Sequence, residues 1–118
     1  MDKKWRIEYY ETANGSFPVK EFIEKLDILA RNKVANTLDL LEEYGIALGL
    51  PHAKKVFGTK LWELRILGGD NIRIFYVTQT GKVFLLLHGF QKKKQKTDTK
   101  EIKIALKRLI AYKQGNEN

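Results

Sequence analysis

Apolar residues recur along this chain with two periods, two residues in some stretches and three to four in others, and the change of period divides it into elements. Residues 4–10 alternate, with Trp5, Ile7 and Tyr9 on one face, and predict a first strand. Thr12-Ala13-Asn14-Gly15-Ser16 reads as a turn, and Pro18 stands where a helix begins. Val19, Phe22, Ile23 and Leu26 then form one helical stripe. Asp27 is placed to cap a second helix carrying Val34, Leu38, Leu41 and Tyr44, which Gly45 stops. Residues 49–59 show no period. Three strand-like runs follow, 61–67, 71–77 and 83–90, joined by Gly68-Gly69-Asp70 and by Thr80-Gly81. After a basic, polar stretch over 91–97, Asp98 or Thr99 opens a last helix with Glu101 in a capping arrangement. Its stripe is Ile102, Ala105, Leu106, Leu109 and Tyr112. The order β-α-α-β-β-β-α predicts an α+β fold: an antiparallel-dominated sheet packed against a helical hairpin and a C-terminal helix. Residues 1–113 form a single domain in this reading, with 114–118 a frayed tail.

Counting through the two connections sets the register of the three central strands. A three-residue loop at Gly68-Gly69-Asp70 places Arg65 opposite Arg73, and a two-residue turn at Thr80-Gly81 places Arg73 opposite His88 and Phe75 opposite Leu86. Directly opposed residues share a face. Trp62, Leu64, Ile66, Ile72, Ile74, Tyr76, Leu85 and Leu87 then make an apolar face for the helices, and Glu63, Arg65, Arg73, Phe75, His88 and Phe90 occupy the other, which is expected to be open. Two arginines opposed in a sheet cost from a few tenths to about 1 kcal/mol. Glu63 relieves part of that, and a solvated face with a Glu–Arg pair is the structural reading. The functional reading is that two guanidiniums converge on a phosphate, whose oxygens match their planar forks. Phe75 and Phe90 offer rings for unpaired bases, although Phe75 reads better as core beneath the last helix. Beside two arginines, the His88 pKa is expected to fall, leaving a neutral proton acceptor. His52 is assigned no role.

Composition narrows the chemistry. The 118 residues are 43% hydrophobic and 31% charged, as in an ordinary globular domain. The N-terminus carries no apolar signal core and no apolar run is long enough to span a bilayer, so a cytoplasmic location is expected. Without cysteine, and with His52 and His88 in no ligand spacing, no metal site is expected. The net charge of +8 is concentrated: residues 1–45 carry −2, residues 46–87 carry +4, and residues 88–113 carry +7. Such a one-sided field attracts a polyanion, with RNA or DNA favoured over an acidic protein or a membrane. Lys92, Lys93, Lys94 and Lys96 fall where the last strand leaves the arginine face, and are expected to touch phosphates; Lys54 and Lys55 are weaker candidates.

The series Leu61-Trp62-Glu63-Leu64-Arg65-Ile66, Arg73-Ile74-Phe75-Tyr76, Leu87-His88-Gly89-Phe90-Gln91-Lys92-Lys93 and Ala105-Leu106-Lys107-Arg108-Leu109 closely resembles the HigB-like, phage Gp49-like branch of the RelE/ParE toxin superfamily. The resemblance covers nearly the whole chain. It implies the toxin of a type II toxin–antitoxin system, a metal-free and cofactor-free mRNA interferase that attacks the adjacent phosphate with the RNA 2′-hydroxyl, commonly on the ribosome. It also implies a helix-turn-helix antitoxin, HigA-like, through which alone the complex meets operator DNA. In that chemistry Arg65 and Arg73 stabilise the phosphate, Lys93 holds the backbone or the leaving-group charge, and His88, in preference to Glu63, moves the proton. Two positions depart from the family pattern: Lys94 replaces a threonine and Asp98 a proline, which bears on loop geometry. ParE-like gyrase poisoning and non-cleaving RNA binding are the alternatives.

Overall fold

The computed structural model describes residues 4–96 and 99–116. Its elements run β1 (Arg6–Tyr9), α1 (Pro18–Glu24), α2 (Ile28–Tyr44), a 3-10 turn (Gly45–Ala47), β2 (Ala53–Lys55), β3 (Trp62–Ile66), β4 (Ile72–Gln79), β5 (Val83–Gln91) and α3 (Thr99–Asn116). The α+β class is as expected. The five strands lie in the order β1-β5-β4-β3-β2, antiparallel except for β1, which pairs parallel with β5. The strand β2 was not expected: at three residues it is too short to show a period, and its pairing with β3 forms it.

The hairpin forms as its stripes dictate. Pro18 begins α1, and the Asp27 carboxylate accepts the Ala30 N–H at 2.9 Å to cap α2. Gly45 ends α2 at φ 58°, and a Cβ there would collide with the Trp5 indole. On the other side, α3 takes in Gln114, Gly115 and Asn116, three of the five residues expected to fray. Asp98, expected as a capping residue, lies outside the described residues.

The sheet is covered on both faces. Toward α1 and α2 it presents Leu64, Ile66, Ile72, Ile74, Tyr76, Phe84 and Leu86. Toward α3 it presents Leu61, Phe75, Val77, Leu85, Leu87 and Phe90, packed on Ala105 and Leu109. This corrects two expectations. Leu85 and Leu87 belong to the α3 face, with Phe84 and Leu86 on the hairpin face; and the arginine-bearing face is open only beyond the reach of α3.

The cause is a pair of one-residue slips. The β4–β5 connection is Thr80-Gly81-Lys82, with Gly81 and Lys82 at positive φ, so Gln79 pairs with Val83 and not with Lys82. A one-residue slip turns every following side chain to the opposite face. A bulge at Phe75/Tyr76 then adds a second residue, so Tyr76 pairs with Leu86 but Phe75 pairs with His88. The second slip returns His88 and Phe90 to the face of Arg73 and shifts them by one pair. Arg73 therefore faces Phe90, not His88.

Candidate functional site

Arg65 and Arg73 are opposed across β3 and β4, as the loop count predicts. Glu63, two residues before Arg65 and on the same face, sends its carboxylate between them, 3.8 Å from Arg65 Nε and 3.7 Å from Arg73 Nε. These are ion pairs beyond hydrogen-bond length, and both Nε atoms are buried without a hydrogen-bond partner among the described residues. Arg73 is the more enclosed, its side chain 10% exposed against 31% for Arg65, and its Nη1 donates to the Ile72 carbonyl at 3.0 Å. Burial pulls the Arg73 pKa down; Glu63 opposes this and Arg65 adds to it. The guanidinium remains charged, since arginine does not deprotonate in proteins. Two fixed cations with unmet donors surround one carboxylate, leaving an excess positive charge that an anion can meet.

His88 is not the third member of an open row. It lies beneath α3, with Nε2 2.8 Å from Glu101 Oε1 and Nδ1 3.3 Å from Arg108 Nη1. Because arginine only donates, Nδ1 accepts and Nε2 carries the proton toward Glu101. Arg108 Nη1 also donates to the Leu87 carbonyl at 2.9 Å, tying the helix to the bulge. The His88 pKa is lowered as expected, but chiefly by burial; the Glu101 bond raises it, and the opposing cation is Arg108. Sequence reasoning assigned Glu101 only a capping role and Arg108 only a place in the family resemblance. Their spacing of seven residues, two helical turns on one face, was the available signal.

Protonating His88 is therefore harder in the folded chain than in the unfolded one. Below the ordinary value of 6.5 the unfolded state takes up a proton that the native state refuses, so stability falls with pH from that point. Thermal melts between pH 7.5 and 5 are expected to show a smaller fall for His88→Gln than for the wild type. An unchanged pH dependence would contradict this account.

Lysines complete the site. A cleft of about 230 Å³ at the junction of β5 and α3 is lined by Lys92, Lys93, Lys94, Lys96 and Lys100, with Glu101 at its wall. Phe90 and Gln91 also line it, and Phe90 is the strand partner of Arg73, so the cleft adjoins the arginine pair. The expectation that Phe90 offers a stacking surface is corrected: it is 6% exposed, packed on Phe75 with ring centroids 5.0 Å apart and stacked on His88 at 5.5 Å. Phe75 is core, as its reading favoured. Lys54 pairs with Glu63 and so projects on the arginine face, whereas Lys55 pairs with Trp62 on the opposite one and lies 5.6 Å over its ring. Among the described residues no group of three or more His, Asp or Glu is placed to hold a metal. No described helix is long and apolar enough to cross a membrane.

A five-stranded, mostly antiparallel sheet with a helical hairpin on one face and a terminal helix on the other, bearing this cationic site, defines a small α+β protein consistent with the RelE-like fold. The model of the phage derived protein Gp49-like family (DUF891) matches residues 21–110, from α1 almost to the end of α3, and the chain belongs to that family, a family of RelE/HigB-like toxins from toxin–antitoxin systems. No match is found among curated proteins.

Proposed function

We propose that the protein is the mRNA-cleaving toxin of a HigB-type toxin–antitoxin pair, acting on messages in the ribosomal decoding site. The observation that carries this reading is the opposed Arg65–Arg73 pair, whose buried Nε donors have no hydrogen-bond partner among the described residues and whose excess charge adjoins a five-lysine cleft. A purely structural surface gains nothing from that arrangement.

The reaction is a transfer within the RNA. The 2′-hydroxyl loses its proton, its oxygen attacks the adjacent phosphorus, and the bond to the 5′ oxygen of the next nucleotide breaks to leave a 2′,3′-cyclic phosphate. Arg65 and Arg73 bind the phosphate oxygens as negative charge gathers on them. Lys93 supports the charge on the departing 5′ oxygen, which takes a proton from solvent water to become a hydroxyl, while Lys92, Lys94 and Lys96 hold the flanking backbone. The proton leaves toward the His88–Glu101 pair. Because α3 engages both His88 nitrogens, Glu101 at the cleft wall is the group that meets the hydroxyl, and His88 orients it. Glu63 keeps the two guanidiniums together. A HigA-like antitoxin silences the toxin by covering this cationic face, and the complex reaches operator DNA through the antitoxin.

Mapping of 5′ ends in cellular RNA after brief induction tests the reading. New ends inside coding sequences, with arrested growth, are expected. Intact messages alongside arrested supercoiling would replace it with gyrase poisoning, and intact messages with normal supercoiling would reduce it to simple binding.

A further inference from the structure

The β2–β3 connection holds a feature that the cleavage chemistry leaves unused. Val56 and Leu61 close the loop, the Val56 N–H donating to the Leu61 carbonyl at 3.0 Å. Inside it the Thr59 N–H and hydroxyl both donate to the Val56 carbonyl, and the Leu61 N–H donates to Thr59 Oγ1 at 3.0 Å. Gly58 supplies the positive φ of 77° that the turn requires. This braced turn presents Phe57 with 98% of its surface exposed. At that exposure the ring contributes almost nothing to packing among the described residues. Lys54, Lys55 and Lys60 lie within three residues of it along the chain and are themselves exposed.

Lys55 and Lys60 continue into a groove of about 410 Å³ between the hairpin and the end of α3. Lys113 faces them from the helix, Trp62 forms part of the wall, and Thr78 and Gln79 supply polar groups; among the described residues no acidic side chain lines it. Along α3, Lys113 is about 20 Å from Lys100 at the other cleft, given a rise of about 1.5 Å per residue. The two cationic sites are therefore separate.

We propose that this hairpin tip and groove form a second RNA-binding site, in which the Phe57 ring stacks on an unpaired base while Lys55, Lys60 and Lys113 hold the neighbouring phosphates. It rests on the reading of the protein as one that acts on RNA, and it assigns that RNA a further contact away from the bond that is cut. Stacking on a base needs only one rigid, accessible ring and tolerates any sequence. A protein partner is less well matched, since the cores of protein interfaces are depleted in lysine and this surface carries Lys55, Lys60 and Lys113.

The test is binding of a fluorescent oligouridine 12-mer with 2′-O-methyl riboses, which cannot be cleaved. Phe57→Ala is expected to weaken binding by about 5- to 100-fold, with Phe57→Tyr close to wild type. Lys60→Ala with Lys113→Ala should lower the slope of log affinity against log salt by roughly 1 to 1.5. A wild-type protein that fails to bind the 12-mer overturns this site, while the cleavage reading stands or falls on the 5′ ends mapped in cells. Binding that is lost in Lys92→Ala with Lys93→Ala but stays within twofold of wild type in Phe57→Ala overturns this site alone. Equal affinity for a polyglutamate chain of matched charge, with the same dependence on Phe57, assigns the surface to an acidic peptide and also overturns it. Melting temperatures unchanged by Phe57→Ala establish that the fold is intact.

Discussion

Arg73→Ala is expected to lower the rate of message cleavage by about 10²- to 10³-fold, the scale seen when one donor to a developing oxyanion is removed. Arg73 is the better placed of the two arginines for this role. Its side chain is 10% exposed against 31% for Arg65, and its Nη1 is anchored on the Ile72 carbonyl. Such a cation is already desolvated and oriented before substrate arrives, so its interaction with the phosphate is stronger than that of a surface lysine. Arg73→Lys should recover only part of the loss, because a point charge does not reproduce the planar fork. Glu63 keeps Arg65 as a partner in both variants, so the fold should survive. Single-turnover cleavage and growth after induction measure the effect, and circular dichroism verifies the fold. Cleavage by a folded Arg73→Ala protein within threefold of wild type would remove the arginine pair from the chemistry.

The largest loss of stability is expected from Phe75→Ala. Phe75 is fully buried between the sheet and α3, against Phe90 and in the cluster with Leu61, Leu85, Leu87, Ala105 and Leu109. Truncating a buried phenylalanine costs about 3–5 kcal/mol, the transfer term plus the cavity left behind. For a chain of this length that corresponds to a fall in melting temperature on the order of 10–20 °C. The void opens beneath α3, the helix that carries Glu101 and Arg108, so His88 should lose its fixed orientation at the same time. Thermal melts and amide exchange along α3 test this. A fall of less than about 3 °C would mean that the contact between sheet and terminal helix contributes little to the fold.

Some of the site is written in local sequence. The Gly68-Gly69-Asp70 loop is short enough to fix the β3–β4 register, so the opposition of Arg65 and Arg73 is a matter of counting. Lys92, Lys93, Lys94 and Lys96 follow directly on β5, so they line the cleft at the end of the strand that pairs with Arg73. His88 shows the limit of the same arithmetic. Its position depends on a turn that takes Lys82 as a third residue and on a bulge with no signature in residue type, so its partners come from 13 and 20 residues further along the chain.

By itself, then, the sequence determined every strand and α-helix except β2, their order, the α+β class, the opposed arginines and the one-sided charge. Each of these follows from periodicity, capping or spacing within about 15 residues. Only the tertiary structure decided that α3 crosses the arginine face, that Phe90 is core, that β2 exists, and that Glu101 and Arg108 hold His88. Those outcomes depend on which apolar surface a distant helix buries and on where a bulge lets two strands adjust. Both are set by packing between segments remote in sequence, which no local pattern encodes.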